Sequence, residues 1–217
     1  MSDIFDEVDE EVRREQIKKL WERYGNLVVA LAVLIVAGVA GWRGYDYWQN
    51  KRAAETGAQF TAAALLAEQG KHEEAEKAFA KVAAEGSAGY RVLARLREAA
   101  ELAARDPKAA VAAYDDIAAS ASTGQPLKDF AAVRAAMLLV DSAPLAEINR
   151  RLEPISAAGA PFRHSARELL AFASWKAGDL AAVRKWSKLV GDDQETPPAL
   201  RQRVQILMSL ASESGQG

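Results

Sequence analysis

The chain contains no cysteine. That excludes disulfides, a lipid-modified cysteine and thiolate chemistry, and it fits either side of a membrane. Histidine is nearly as scarce, with His72 and His164 the only two. His72 and Glu76 stand at i, i+4, the nearest approach to a metal pair, but two ligands are too few for a site and a solvated helical face explains them more simply. There is no glycine-rich phosphate loop and no nucleophile elbow. Asp115-Asp116 and Asp192-Asp193 lack a neighbouring base in the sequence and read as helix-end and turn residues. Net charge is small, −2 over 217 residues. Residues 1–23 carry eight acids against five bases, so the remainder is close to neutral and offers no electrostatic footprint for nucleic acid. No catalytic, cofactor-binding or metal-binding residues can be named, and the expectation is a protein that is not an enzyme and needs no cofactor.

One long uncharged run stands out against these absences. Tyr24 to Trp42 is nineteen residues without a charge, which at about 1.5 Å per helical residue matches the roughly 30 Å hydrocarbon core of a bilayer. Trp21 and Tyr24 stand at its start and Trp42, Tyr45, Tyr47 and Trp48 at and beyond its end, where an interfacial aromatic belt would lie. A buried helix of a soluble core does not explain that bracketing. A cleaved signal sequence would suit the small residues from Val39 to Gly41 but not an acidic leader of 23 residues. Arg13, Arg14, Lys18, Lys19 and Arg23 precede the run, whereas Arg43, Lys51 and Arg52 follow it. The excess of bases on the N-terminal side places that side in the cytoplasm. The expected organisation is therefore a cytoplasmic leader over 1–23, a transmembrane helix over 24–42 in contact with the lipid bilayer, and a periplasmic domain over 43–217. Within the span, Ala37, Gly41 and Gly44 share one helical face whose small side chains would let another membrane helix approach.

In the leader, Ile4, Phe5, Val8, Val12, Ile17, Leu20, Trp21 and Tyr24 recur at mostly three- and four-residue steps, as in an amphipathic helix. Its charges run from acidic to basic, which suits the helix macrodipole and sets the bases beside anionic headgroups. Two readings stay open: a solvated helix continuing into the span, or a helix that docks a cytoplasmic partner.

Beyond Trp48 the text is alanine-rich, nearly free of β-branched alternation, and punctuated by turn signals such as EQGKH, RDPK, DSAP and KAGD. The fold class read from this is all-α. The helices also repeat. With Gly70, Arg105, Val140 and Gly178 taken as turn positions, offsets of +5, +9 and +12 give Ala75, Phe79 and Val82; Ala110, Tyr114 and Ile117; Leu145, Asn149 and Leu152; and Val183, Ser187 and Val190. The turn positions lie 35, 35 and 38 residues apart, close to the period of about 34 in tetratricopeptide helical pairs. Asn149 and Ser187 are the weak matches, and Trp186 sits one step off the pattern. The final segment TPPALRQRVQILMSLAS opens with prolines suited to a first helical turn and lines up Leu200, Val204, Leu207 and Ala211 as one apolar stripe. A helical solenoid needs its last hairpin covered, and this segment is expected to cap it. First helices beginning around Phe60, Val92, Phe130 and Ala166 would line a concave binding surface.

The order of these features carries a resemblance. The amphipathic leader, the span, Gly41-Trp42-Arg43 with its trailing aromatics, GYRVLARLREAAELAARDPKAAVAAY, RELLAFASWKAGDLAAVRKW and finally TPPAL together resemble the YfgM-type ancillary subunits of the SecYEG translocon. The resemblance implies a bacterial inner-membrane protein with a periplasmic tetratricopeptide-like domain, placed beside SecYEG and the PpiD-type membrane-bound chaperone to help exported proteins. It transfers no catalytic residues. The long charged leader departs from the family pattern. A structural or scaffolding subunit of another inner-membrane envelope complex is the alternative reading.

Overall fold

The computed structural model describes the backbone of residues 3–214 and, within it, the side chains of residues 14, 18, 19 and 21–212. The leader's apolar positions from Ile4 to Leu20 lie outside the described side chains. Among the described residues the chain is helical throughout and has no strand. The elements are α1 (Asp3–Glu68), α2 (His72–Glu85), α3 (Ala88–Leu102), α4 (Pro107–Ala119), α5 (Gln125–Leu139), α6 (Leu145–Leu152), a short 3-10 turn (Pro154–Ser156), α7 (Arg163–Lys176), α8 (Leu180–Asp192) and α9 (Pro198–Ser214).

Two compact units divide the chain, residues 1–54 and 55–217. The first is helix alone. Its apolar side chains, including Leu27, Leu31, Leu34, Ile35 and Val39, are exposed along α1, as are Trp21, Trp42, Tyr47 and Trp48. Only 6% of the apolar window is buried, so this is not the core helix of a globular domain. Among the described residues α1 is the one helix long and apolar enough to cross a membrane.

The second unit is a stack of helical hairpins. Local chemistry sets the helix ends. The Asp106 and Asp179 side chains accept from the backbone N–H of Ala109 (3.0 Å) and Ala182 (2.9 Å), capping α4 and α8, and Pro107 occupies the first turn of α4. Helix α1 and helix α7 stop at Gly70 (φ 75°) and Gly178 (φ 76°). There the next residue's N–H reaches back to a carbonyl of the last turn, Lys71 to Leu66 at 3.0 Å and Asp179 to Ser174 at 2.9 Å, a closure that needs the left-handed backbone glycine adopts without penalty.

Packing runs from each hairpin to the next. Ala63 of α1 packs with Ala75, Phe79 and Val82 of α2 and Ala94 of α3. Leu96 and Ala99 of α3 pack with Tyr114 and Ile117 of α4 and with Ala131 and Ala135 of α5. The largest cluster joins Val133 and Ala136, Ile148 and Leu152, Leu170 and Ala171, Trp186, and Leu207 of α9. Each first helix thus closes the hairpin before it, which is the logic of a solenoid. The offset pattern holds in α2, α4 and α8, whose named positions are all buried. In α6 the core position is Ile148, one step before Asn149. Trp186 occupies the equivalent step in α8 and is 5% exposed. The last two hairpins therefore use +8 as well as, or instead of, +9, because the larger apolar residue takes the inward position. Leu200, Val204, Leu207 and Ala211 are all buried, and α9 covers α7 and α8 as a cap.

Candidate functional site

Helix α9 is apolar on a second side. Ile206 and Leu210, one turn apart, are 56% and 44% exposed, next to Met137 of α5 at 47% and Phe172 of α7 at 40%. These four border a groove of about 540 Å³ that is completed by Val140, Asp141, Glu168, Leu169, Arg203, Val204 and Leu207. The groove lies on the first helices of the third and fourth hairpins and on the cap. Val204 and Leu207 are buried at its floor.

The charges in this lining are already engaged. Arg203 of α9 donates from Nε to Glu168 Oε1 at 2.5 Å and from Nη2 to Oε2 at 2.9 Å, a bidentate pair between α7 and α9. Asp141 lies 3.6 Å from Lys176 Nζ, which also donates to the Asp141 carbonyl. The inward stripe of α9 stands out in the sequence, whereas the outward one does not. Its signal was present, since Arg203, Ile206 and Leu210 recur at three and four residues, yet periodicity does not say which of two stripes a tertiary neighbour will cover.

A second cleft of about 540 Å³, lined mostly by charged residues, lies between the start of α2 and the end of α3. His72 and Glu76 are both there but take different partners: His72 Nδ1 is 2.7 Å from Glu101 Oε2, and Glu76 accepts both a 2.9 and a 3.1 Å bond from Arg105. These pairs tie α2 to α3 and its C-terminal turn.

Asp193 is the C-cap of α8, at the helix end and turn where the sequence places it. It is also the centre of a charged cluster, accepting from Arg163 Nε at 2.7 Å and Arg167 Nη1 at 3.0 Å. Glu195 also takes Arg163, and His164 Nδ1 lies 3.1 Å from Thr196 Oγ1 and 3.8 Å from Asp193. His164, Asp193 and Glu195 converge as a metal-binding trio would, but arginines hold both carboxylates. Hydrogen bonding from Arg163 keeps the Asp193 carboxyl well below the usual carboxylate range, while burial, followed by the charge of Arg163, lowers the His164 imidazole. The guanidiniums of Arg163 and Arg167 that occupy these carboxylates also set positive charge where a cation would sit. The cluster is a clasp from α7 to the α8–α9 loop. Asp115, the other acidic position, pairs with Arg151 of α6. Ala37, Gly41 and Gly44 are exposed on α1, and a Cβ at Gly41 or Gly44 would meet no neighbouring atom within 4 Å.

The tetratricopeptide repeat-like domain family matches residues 18–185. The chain belongs to this family. No curated protein matches it, and no solved structure matches it. Tetratricopeptide repeat-like domains are typically protein-interaction modules, and an exposed apolar groove is a surface of that kind. The family match ends within α8, so α9 and its share of the groove lie beyond the matched stretch.

Proposed function

We propose that the protein is a single-pass adaptor of the bacterial inner membrane, working beside the SecYEG translocon and a PpiD-type membrane-bound chaperone to assist newly exported proteins. In this reading residues 1–23 are cytoplasmic, 24–42 cross the bilayer and 43–217 form the periplasmic domain. The observation that carries the reading is the presence in one chain of an exposed apolar helix and tetratricopeptide repeat-like hairpins. The helix supplies a tether and the hairpins a protein-binding surface. The translocon as the particular partner rests on the ordered motifs that resemble YfgM-type subunits. Ala37, Gly41 and Gly44 are proposed as the face through which the span packs on a membrane partner.

The test is crosslinking in native membranes followed by purification in mild detergent. SecY and the PpiD-type chaperone are expected in the recovered complex, and Gly41→Leu is expected to reduce recovery of a membrane partner without blocking insertion. Recovery of a division or secretion assembly in place of SecY would overturn the translocon assignment in favour of a scaffolding subunit of another envelope complex.

A further inference from the structure

We propose that the groove between α5, α7 and α9 docks an amphipathic α-helix of a partner polypeptide, which lays an uncharged apolar stripe against Met137, Phe172, Ile206 and Leu210. The inference rests on the protein-binding reading above and names the kind of segment that this surface takes.

Three features of the lining select that occupant. Four large apolar side chains from three helices stand exposed around one depression, and clustered apolar exposure on a folded domain marks an interaction surface. The charges at the lining are balanced: Glu168 is matched by Arg203, and Asp141 by Lys176. The groove therefore offers no net charge of either sign to an anchor, and its four exposed apolar side chains favour a neutral, apolar complement.

The third feature is hydrogen bonding. The lining side chains are Met, Val, Asp, Glu, Leu, Phe, Arg and Ile, with no amide or hydroxyl among them, and the acids and the arginine are committed to ion pairs. An extended peptide pressed over Met137, Phe172, Ile206 and Leu210 would bury most of its backbone N–H and C=O groups against apolar side chains, with only the charged groups of Asp141, Glu168 and Arg203 to receive any of them, at a cost comparable to lost hydrogen bonds. An α-helix satisfies its backbone internally and presents side chains alone. Apolar anchors at i, i+3 or i+4, and i+7 are the matching pattern. The α9 side of this surface lies beyond the family match, whereas its α5 and α7 side lies within it.

The experiment uses the full chain in lipid nanodiscs, with empty nanodiscs subtracted. The probe is a fluorescent peptide of about five helical turns, with leucines along one stripe and alternating Glu and Lys elsewhere. A second peptide of the same pattern carries two prolines in its interior, which prevent the helix. The helical peptide is expected to bind, the proline peptide at least about tenfold more weakly, and Ile206→Asp or Phe172→Gln to weaken the helical peptide by about tenfold with the melting temperature retained. Lys185→Asp, outside the groove lining, should leave binding unchanged. Equal binding of both peptides would overturn the proposal in favour of an extended segment, and binding of neither would overturn it outright. Self-association of the full chain that Ile206→Asp abolishes would overturn it in favour of a second copy. If SecY or another partner still co-purifies when the peptides fail, the docking proposal falls and the adaptor reading stands; if the helical peptide binds but native membranes yield no partner, the adaptor reading falls alone.

Discussion

Phe79 and Tyr114 occupy the same offset in successive hairpins, and both are fully buried. Truncating either to alanine removes a ring from a closed cluster and should cost about 3–5 kcal/mol in a denaturant titration. Tyr114 carries a further consequence, because its hydroxyl is buried and has no hydrogen-bond partner among the described residues. Tyr114→Phe removes an uncompensated polar group while keeping the ring, so it should leave stability unchanged or raise it by up to about 1 kcal/mol. A loss of more than that would mean the hydroxyl is satisfied in solution. His164 gives a prediction in pH. Burial and the adjacent Arg163 guanidinium hold it below its ordinary value of 6.5, against the pull of Asp193 and Glu195 and with Arg167 adding to the depression. Proton uptake therefore favours the unfolded chain: the stability is present above about 6.5 and falls as pH drops below that value toward the folded pKa. Asp193 acts in the same direction at lower pH, since its carboxyl must be charged to hold Arg163 and Arg167. His164→Asn should flatten the decline in melting temperature between about pH 7.5 and 5.5 while leaving the loss below about pH 4. An unchanged slope in the upper window would assign that decline to other groups.

At the scale of elements, α9 has two apolar stripes that differ by one residue in sequence and are opposite in role. Leu207 is buried in the largest core cluster, whereas Ile206 is exposed at the groove. Leu207→Ala should cost about 2–5 kcal/mol, and Ile206→Ser should stay within about 0.5 kcal/mol. Equal stability losses at the two positions would show that α9 is rotated about its axis. The turn after α7 is fixed by Gly178 in the left-handed region. Gly178→Ala should destabilise by about 1 kcal/mol, because a Cβ is strained there. At Arg105, where the chain makes the corresponding turn without positive φ, alanine should cost only the ion pair with Glu76, about 0–1 kcal/mol.

For the whole molecule, the proposed span makes the side of the membrane that holds the hairpins the decisive question. The basic flank before Tyr24 predicts that a reporter active only in the periplasm, fused at the C-terminus, will be active. Activity from a cytoplasmic reporter fused there would overturn both the topology and the translocon-side role proposed above. The same fusion made at residue 15 should give the reverse result.

Periodicity and composition were sufficient for the all-α class, the exposed apolar helix, the hairpin period and the inward stripe of α9, because these depend on local propensity and on spacings of three to four residues. The repeat offsets also picked out Phe79 and Tyr114, both of which are core. They did not distinguish Ile148 from Asn149 or place Trp186, since neighbouring offsets differ by about 100° on a helix and only the facing hairpin decides which side chain turns inward. The groove was legible even less. Ile206, Phe172 and Met137 are separated by up to 69 residues in sequence, and the pairing of Glu168 with Arg203 spans 35. The Asp193 clasp joins residues up to 32 apart in the same way. Tertiary structure alone brings such groups together, because burial and charge compensation are properties of packed surfaces and not of any segment.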